Sequence, residues 1–192
     1  AILPHDLLPE ALAAAREIQD EGHRTDALNS LAAILPHDLL PEALAAAREI
    51  QSDSSRAYAL SSLAAILPEL LPEALAAARE IQDEEYRALA LSRLAAILPH
   101  DLLPEALAAT REIQSESSRV YALSSLAVKL SQIQKTPLFA HWRDTLHILS
   151  VHTRPNLLSD IKALTPVIPA LGGQEAVKNT ADAIQDVSRW WS

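Results

Sequence analysis

The sequence predicts an all-α protein: an α-solenoid of four helix-turn-helix repeats followed by a C-terminal helical cap. Three observations lead there. Ala-Ile-Leu-Pro recurs at Ala1, Ala33, Ala65 and Ala96, at spacings of 32, 32 and 31 residues, a period typical of stacked supersecondary units. Each period holds two stretches of good helix formers with apolar residues at helical spacing. After Leu126 the repetition stops, and all three Trp and the single Phe lie beyond it. The expected organisation is a repeat array over 1–136 and capping helices over 137–192.

The repeats are close to copies. Residues 33–64 and 96–127 differ at three positions, Ala47/Thr110, Asp53/Glu116 and Ala57/Val120. Repeats one and three share Asp20-Glu21 and Asp83-Glu84, whereas repeats two and four carry Ser52 and Ser115. This alternation points to duplication of a two-repeat unit.

The first helix of each repeat is expected over Pro9–Ile18 and its equivalents. Proline is tolerated in a first turn, where its missing N–H has no intrahelical acceptor. Leu8, Leu12, Ala15 and Ile18 share one face, and the Ala13–Ala15 triplet lets a neighbouring helix approach closely. The second helix begins at Asp20, Ser52, Asp83 or Ser115, a column restricted to side chains that accept from exposed backbone N–H groups. It runs to about Leu35, with Ala27, Leu28, Leu31, Ile34 and Leu35 inward, and Pro36 stops it. The third repeat lacks one residue between Pro68 and Pro72, a deletion that falls in a turn and leaves both helices in phase. Two helices per period make the unit TPR-like. Neither hairpin hides its apolar surface alone, so the units are expected to stack.

In the C-terminal segment a helix starts at Thr136-Pro137, with Phe139, Trp142, Leu146 and Leu149 as its stripe. A second spans Pro155–Leu164. A short third opens at Thr165-Pro166 and ends at Gly172-Gly173. The last, Gln174–Trp190, aligns Val177, Ala181, Ile184, Val187 and Trp191. The aromatic residues are read as the core of the cap.

Composition excludes several chemistries. The chain has no Cys, which removes thiolate nucleophiles, disulfides and cysteine-ligated metals. Three Gly leave no glycine-rich phosphate loop. Net charge is −11 over 1–128, with nine Arg and no Lys, and +2 over 129–192. An acidic array repels phosphate backbones, so nucleic acid is not an expected partner. No apolar run is long enough for a membrane span, and the start lacks the basic flank of a signal peptide. A cytoplasmic setting is expected. Because the chain opens on Ala1 inside a repeated phrase, it is read as a piece of a longer protein. His5, His37 and His100 lie a repeat apart, His141 and His147 face different ways, and no metal-binding spacing occurs. No metal, no cofactor and no enzymatic activity are expected.

Two Arg columns recur, Arg16/Arg48/Arg79/Arg111 and Arg24/Arg56/Arg87/Arg119. Their expected role is a structural ladder to helix-end carbonyls or to carboxylates of the Glu17 type; the alternative is an anion-binding stripe. Asp20 and Asp83 lie four residues before Arg24 and Arg87, a salt-bridge spacing. The candidate protein-binding residues are Asp26, Tyr58, Leu89 and Tyr121, one column of the second helix, and Arg93 from the neighbouring column Ser30/Ser62/Arg93/Ser125. They sit where near-identical repeats differ. Either they grip a protein or peptide, or they pack against the next repeat.

The phrase Leu7-Leu-Pro-Glu-Ala-Leu-Ala-Ala-Ala-Arg-Glu-Ile-Gln-Asp-Glu21 resembles helical-repeat arrays in the C-terminal regions of bacterial signal-transduction NTPases of the STAND type, common in cyanobacteria. The ending is similar as well: Arg154-Pro-Asn-Leu-Leu-Ser-Asp-Ile-Lys-Ala-Leu164, Ala170-Leu-Gly-Gly-Gln-Glu-Ala176 and Ala183-Ile-Gln-Asp-Val-Ser-Arg-Trp-Trp191. The resemblance implies a sensor or protein-interaction arm in conflict or defence signalling, with the NTPase elsewhere. The competing expectation is a purely structural scaffold or an idealised repeat protein without a ligand of its own.

Overall fold

Each repeat folds as two helices in the computed structural model, which describes residues 4–189. The pairs are α1 (Leu8–Glu17) with α2 (Glu21–Ala32), α3 (Leu40–Arg48) with α4 (Asp53–Ala64), α5 (Leu71–Glu80) with α6 (Glu84–Ala95), and α7 (Leu103–Arg111) with α8 (Glu116–Leu130). Then come α9 (Lys135–Leu149), α10 (Arg154–Ala163) and α11 (Val167–Arg189). No strand occurs among the described residues.

Local chemistry sets the boundaries. Proline stands in the first turn of α1, α3, α5 and α7, where no hydrogen bond is lost. The second helices start from extended residues whose side chains turn back onto the first turn. Asp20 accepts from His23 N–H, Ser52 from Ser55 N–H, Asp83 from Glu85 and Tyr86 N–H, and Ser115 from Ser118 N–H. The deletion in repeat three falls in the short turn Pro68–Leu70, where repeat four has His100–Leu102. One difference concerns Ile34. The helix gives way at Ala33, Ile34 N–H bonds back to Leu31, and the Ile34 side chain is left exposed while Leu28, Leu31 and Leu35 are buried.

The chain divides into two compact bodies, Ala1–Ile97 and Leu98–Ser192. In the first, α2 packs on α4 and α4 on α6, while α2 also meets α3 and α4 meets α5. The alanines make this close approach possible: Ala43, Ala46, Ala47, Ala74, Ala77 and Ala78 are all buried. Ala14 on α1, the equivalent of Ala46 and Ala77, is exposed.

In the second body α10 packs on α8, and α7 and α11 both meet α9. Arg119 and Asp160, 1% and 0% exposed, join α8 to α10. Arg119 Nε donates to both Asp160 oxygens at 3.0 and 3.1 Å, and its Nη1 donates to Ile113 O and Gln114 O. His152 Nδ1 lies 3.2 Å from Asp160 Oδ2.

The aromatic cap core is corrected in part. Phe139 is 61% exposed, because α9 turns Leu138, Thr145 and Leu149 inward and leaves Trp142 half-buried. The buried seam takes Leu138 and Thr145 in place of Phe139 and Leu146, and keeps Leu149 as expected. The break at Gly172-Gly173 falls where expected: both are non-helical inside α11, and Gly173 has φ 64°, a conformation glycine adopts without a Cβ penalty. Beyond it Val177 and Ala181 are exposed and Ile184 is half-buried. The side chain of Val187, and Trp190 and Trp191, lie outside the described residues.

Replacing Ser52, Asp83 or Ser115 by Ala should destabilise by about 0.5–2 kcal/mol each, the usual loss of a helix cap. Asp83, with two accepted N–H groups at 2.9 and 3.1 Å, should be the most costly. Gln82→Ala is the reference, and denaturant midpoints decide. Asp160→Ala strands a buried guanidinium and should cost about 3–5 kcal/mol. An Arg119→Leu/Asp160→Leu pair should restore much of it, measured the same way.

Candidate functional site

The Arg column of the second helices is occupied by structure. Arg24 Nε donates to Ile18 O, and Arg56, Arg87 and Arg119 donate through Nη1 to Ile50 O, Ile81 O and Ile113 O, always six residues back. Each guanidinium satisfies a carbonyl where the first helix ends. Carboxylates take further donors: Asp53 and Glu80 on Arg56, Glu84 on Arg87. The local pairs thus come from three residues before Arg56 and Arg87. Asp20 is committed instead to His23 N–H.

The other column links successive first helices. Arg16 meets Glu42 and Glu49, and Arg48 holds Glu73 through two bonds of 2.7 Å. Arg111 differs. Its Nε is buried without a partner, and burial lowers its pKa against the opposing pull of Asp144 and Glu112. Glu21 reaches into the next repeat, accepting Gln51 and Ser52 N–H at 2.8 Å each. Those bonds hold its carboxyl below the ordinary value of 4.5. Arg48 does the same for Glu73.

What is left over from this network lies between α4 and α6. Ser54, Ser55, Tyr58 and Ser61 from α4 face Tyr86, Leu89, Ala90 and Arg93 from α6 across a groove of about 230 Å³. On α6 the spacing i, i+3, i+4, i+7 puts all four on one face. Arg93 stands over the Tyr58 ring, its guanidinium carbon 3.9 Å from the centroid, a cation–π contact. Among the described residues Arg93 makes no hydrogen bond or ion pair. The column explains why: Ser30, Ser62 and Ser125 each bond the carbonyl four residues back, on Asp26, Tyr58 and Tyr121. Arginine at that position reaches across to the neighbouring helix instead.

Of the candidate residues, the groove brings together Tyr58, Leu89 and Arg93. Asp26 is exposed on α2 and does not line it. Tyr121, 51% exposed, belongs to the second body. Tyr86, 55% exposed, was not anticipated; its column reads His23/Ser55/Tyr86/Ser118, and an aromatic residue three positions before Leu89 was the available signal.

The second body has two further hollows. One of about 830 Å³ lies between α8 and α10, with Ser117, Ser124 and Lys162 in its wall. The other, about 420 Å³, is apolar and lined by Trp142, Leu146, Leu157, Ile161 and Ile184. No group of three or more His, Asp or Glu able to hold a metal occurs among the described residues. No described helix is long and apolar enough to cross a membrane. No family model, curated protein or solved structure matches the chain.

The lowered carboxyl pKa values set a pH dependence. Glu21 and Glu73 are bonded as anions in the fold, whereas the unfolded chain titrates near 4.5. Their contribution is therefore complete above that value and is lost as pH falls through it toward the lowered one. Denaturant midpoints should drop on acidification below about pH 5, and Glu21→Gln should lower the neutral-pH midpoint and flatten the decline.

Proposed function

We propose that the chain is a non-catalytic binding module, a TPR-like α-solenoid with a C-terminal cap, that holds a protein or peptide segment in the α4–α6 groove. In this reading it is the cytoplasmic sensor arm of a larger STAND-type signalling protein. The observation that supports it most is the Tyr58–Arg93 pair: an aromatic face and a charged group with unused donors, set beside exposed Tyr86 in a groove. Aromatic and Arg side chains are the usual anchors of protein interfaces. Of the other charges, Arg24, Arg56, Arg87 and Arg119 serve helix ends, and Arg16 and Arg48 join helix pairs.

A second reading has its own observation. Because the same contact joins α4 to α6, the pair could be a clamp within a scaffold. The two readings separate on Tyr58→Ala. A binding groove predicts an almost unchanged melting temperature, with loss of the peptides that wild-type protein enriches from a displayed random-peptide library. A scaffold clamp predicts a lowered melting temperature and no enrichment by the wild type.

A further inference from the structure

We infer that the α4–α6 groove selects a peptide by a single carboxylate: Arg93 forks onto an Asp or Glu side chain while Tyr58, Tyr86 and Leu89 take an apolar neighbour. This rests on the peptide-binding reading above and names the chemistry of the ligand. Arg93 lies over the face of the Tyr58 ring, and its N–H groups make no hydrogen bond or ion pair among the described residues. Arg16, Arg24, Arg48, Arg56, Arg87 and Arg119 all direct donors to carboxylates or carbonyls. Arg93 is an exposed guanidinium with no hydrogen-bond acceptor among the described residues, and a carboxylate fits such a fork with two parallel bonds.

Size and charge narrow the ligand. About 230 Å³ has room for one or two side chains. Asp53 and Glu85 immediately precede the lining residues Ser54 and Tyr86 in the sequence, and the chain as a whole is −9. A run of acids or a phosphate dianion is repelled, whereas one carboxylate set against one guanidinium is neutralised. Ser55 and the Tyr86 hydroxyl add neutral donors on the same walls. The apolar component follows from Leu89 and Ala90, which line the groove with the two tyrosines.

The test pans a displayed random 12-residue peptide library on wild-type protein, Arg93→Gln and Arg93→Glu, each first checked for an unchanged melting curve. Wild type should enrich peptides with one acidic residue at a fixed distance from an apolar one. Arg93→Gln should lose the acidic preference, and Arg93→Glu should replace it with a basic one. For a synthetic copy of an enriched peptide, changing its acid to the amide should weaken binding about ten- to hundredfold. Inorganic phosphate should not compete. If wild type enriches nothing, the peptide-binding reading itself fails, and this inference with it. If peptides are enriched without an acidic position, if Arg93→Gln keeps it, or if phosphate displaces them, the carboxylate inference fails and peptide binding stands.

Discussion

The interaction on which the rest depends is the reach of each second-helix arginine to the carbonyl six residues behind it. A helix that ends at a sharp turn leaves carbonyls without partners, and burying them unsatisfied is costly. Arg24, Arg56, Arg87 and Arg119 meet that need from the opposite side of the turn, at Ile18, Ile50, Ile81 and Ile113. The angle between the two helices of a pair is thereby tied to one side chain. With the turn held, Ile50, Ile81 and Ile113 can be fully buried beside it. A planar fork can bond a carbonyl and a carboxylate at once, which an ammonium does less well. Residues 1–128 contain nine arginines and no lysine, in keeping with that geometry.

Part of the acidic set of residues 1–128 belongs to the same network. Glu42, Glu73 and Glu80 meet arginines of the preceding repeat, and Glu21 receives backbone N–H groups of the following one. These carboxylates are helix-joining parts placed at the period of the repeat. Arg119 shows what happens when the period ends: Asp160, from a segment with no repeat homology, supplies the carboxylate inside the second body. The exposed surface pairs contribute little each, but the Arg119–Asp160 pair is buried, so removing one side would leave an uncompensated charge.

Elements whose cause lies within a few residues were legible in the sequence. The cap column, the first-turn prolines, the deletion at Pro68–Leu70, the Gly172-Gly173 break and the carbonyl-seeking arginines all rest on contacts within a turn. Asp160 was not legible as the partner of Arg119, because 41 residues separate them and no repeat connects them. The face of α9 was misread for a chemical reason. Thr145, a polar residue, is buried in its seam, so a hydrophobic pattern settled on Phe139 and Leu146 one position away. Tyr58, Leu89 and Arg93 were legible as departures from a repeated column, but that they share one groove depends on α4 packing against α6.

That packing gives the departures their meaning. In three repeats the Arg93 column holds serine, its hydroxyl donated to its own helix. Arginine in the third repeat cannot close on its own helix in that way, so it lies over Tyr58 of the neighbouring helix and keeps its donors. The Tyr86 column changes in the same repeat, from small or polar residues to an aromatic one. Neither position is one of the arginine ties or of the buried alanines between the helices. A scaffold whose buried groups are held by periodic contacts can vary freely at such exposed columns. It is there, where α6 turns Tyr86, Leu89 and Arg93 toward α4, that this chain differs chemically from its own repeats.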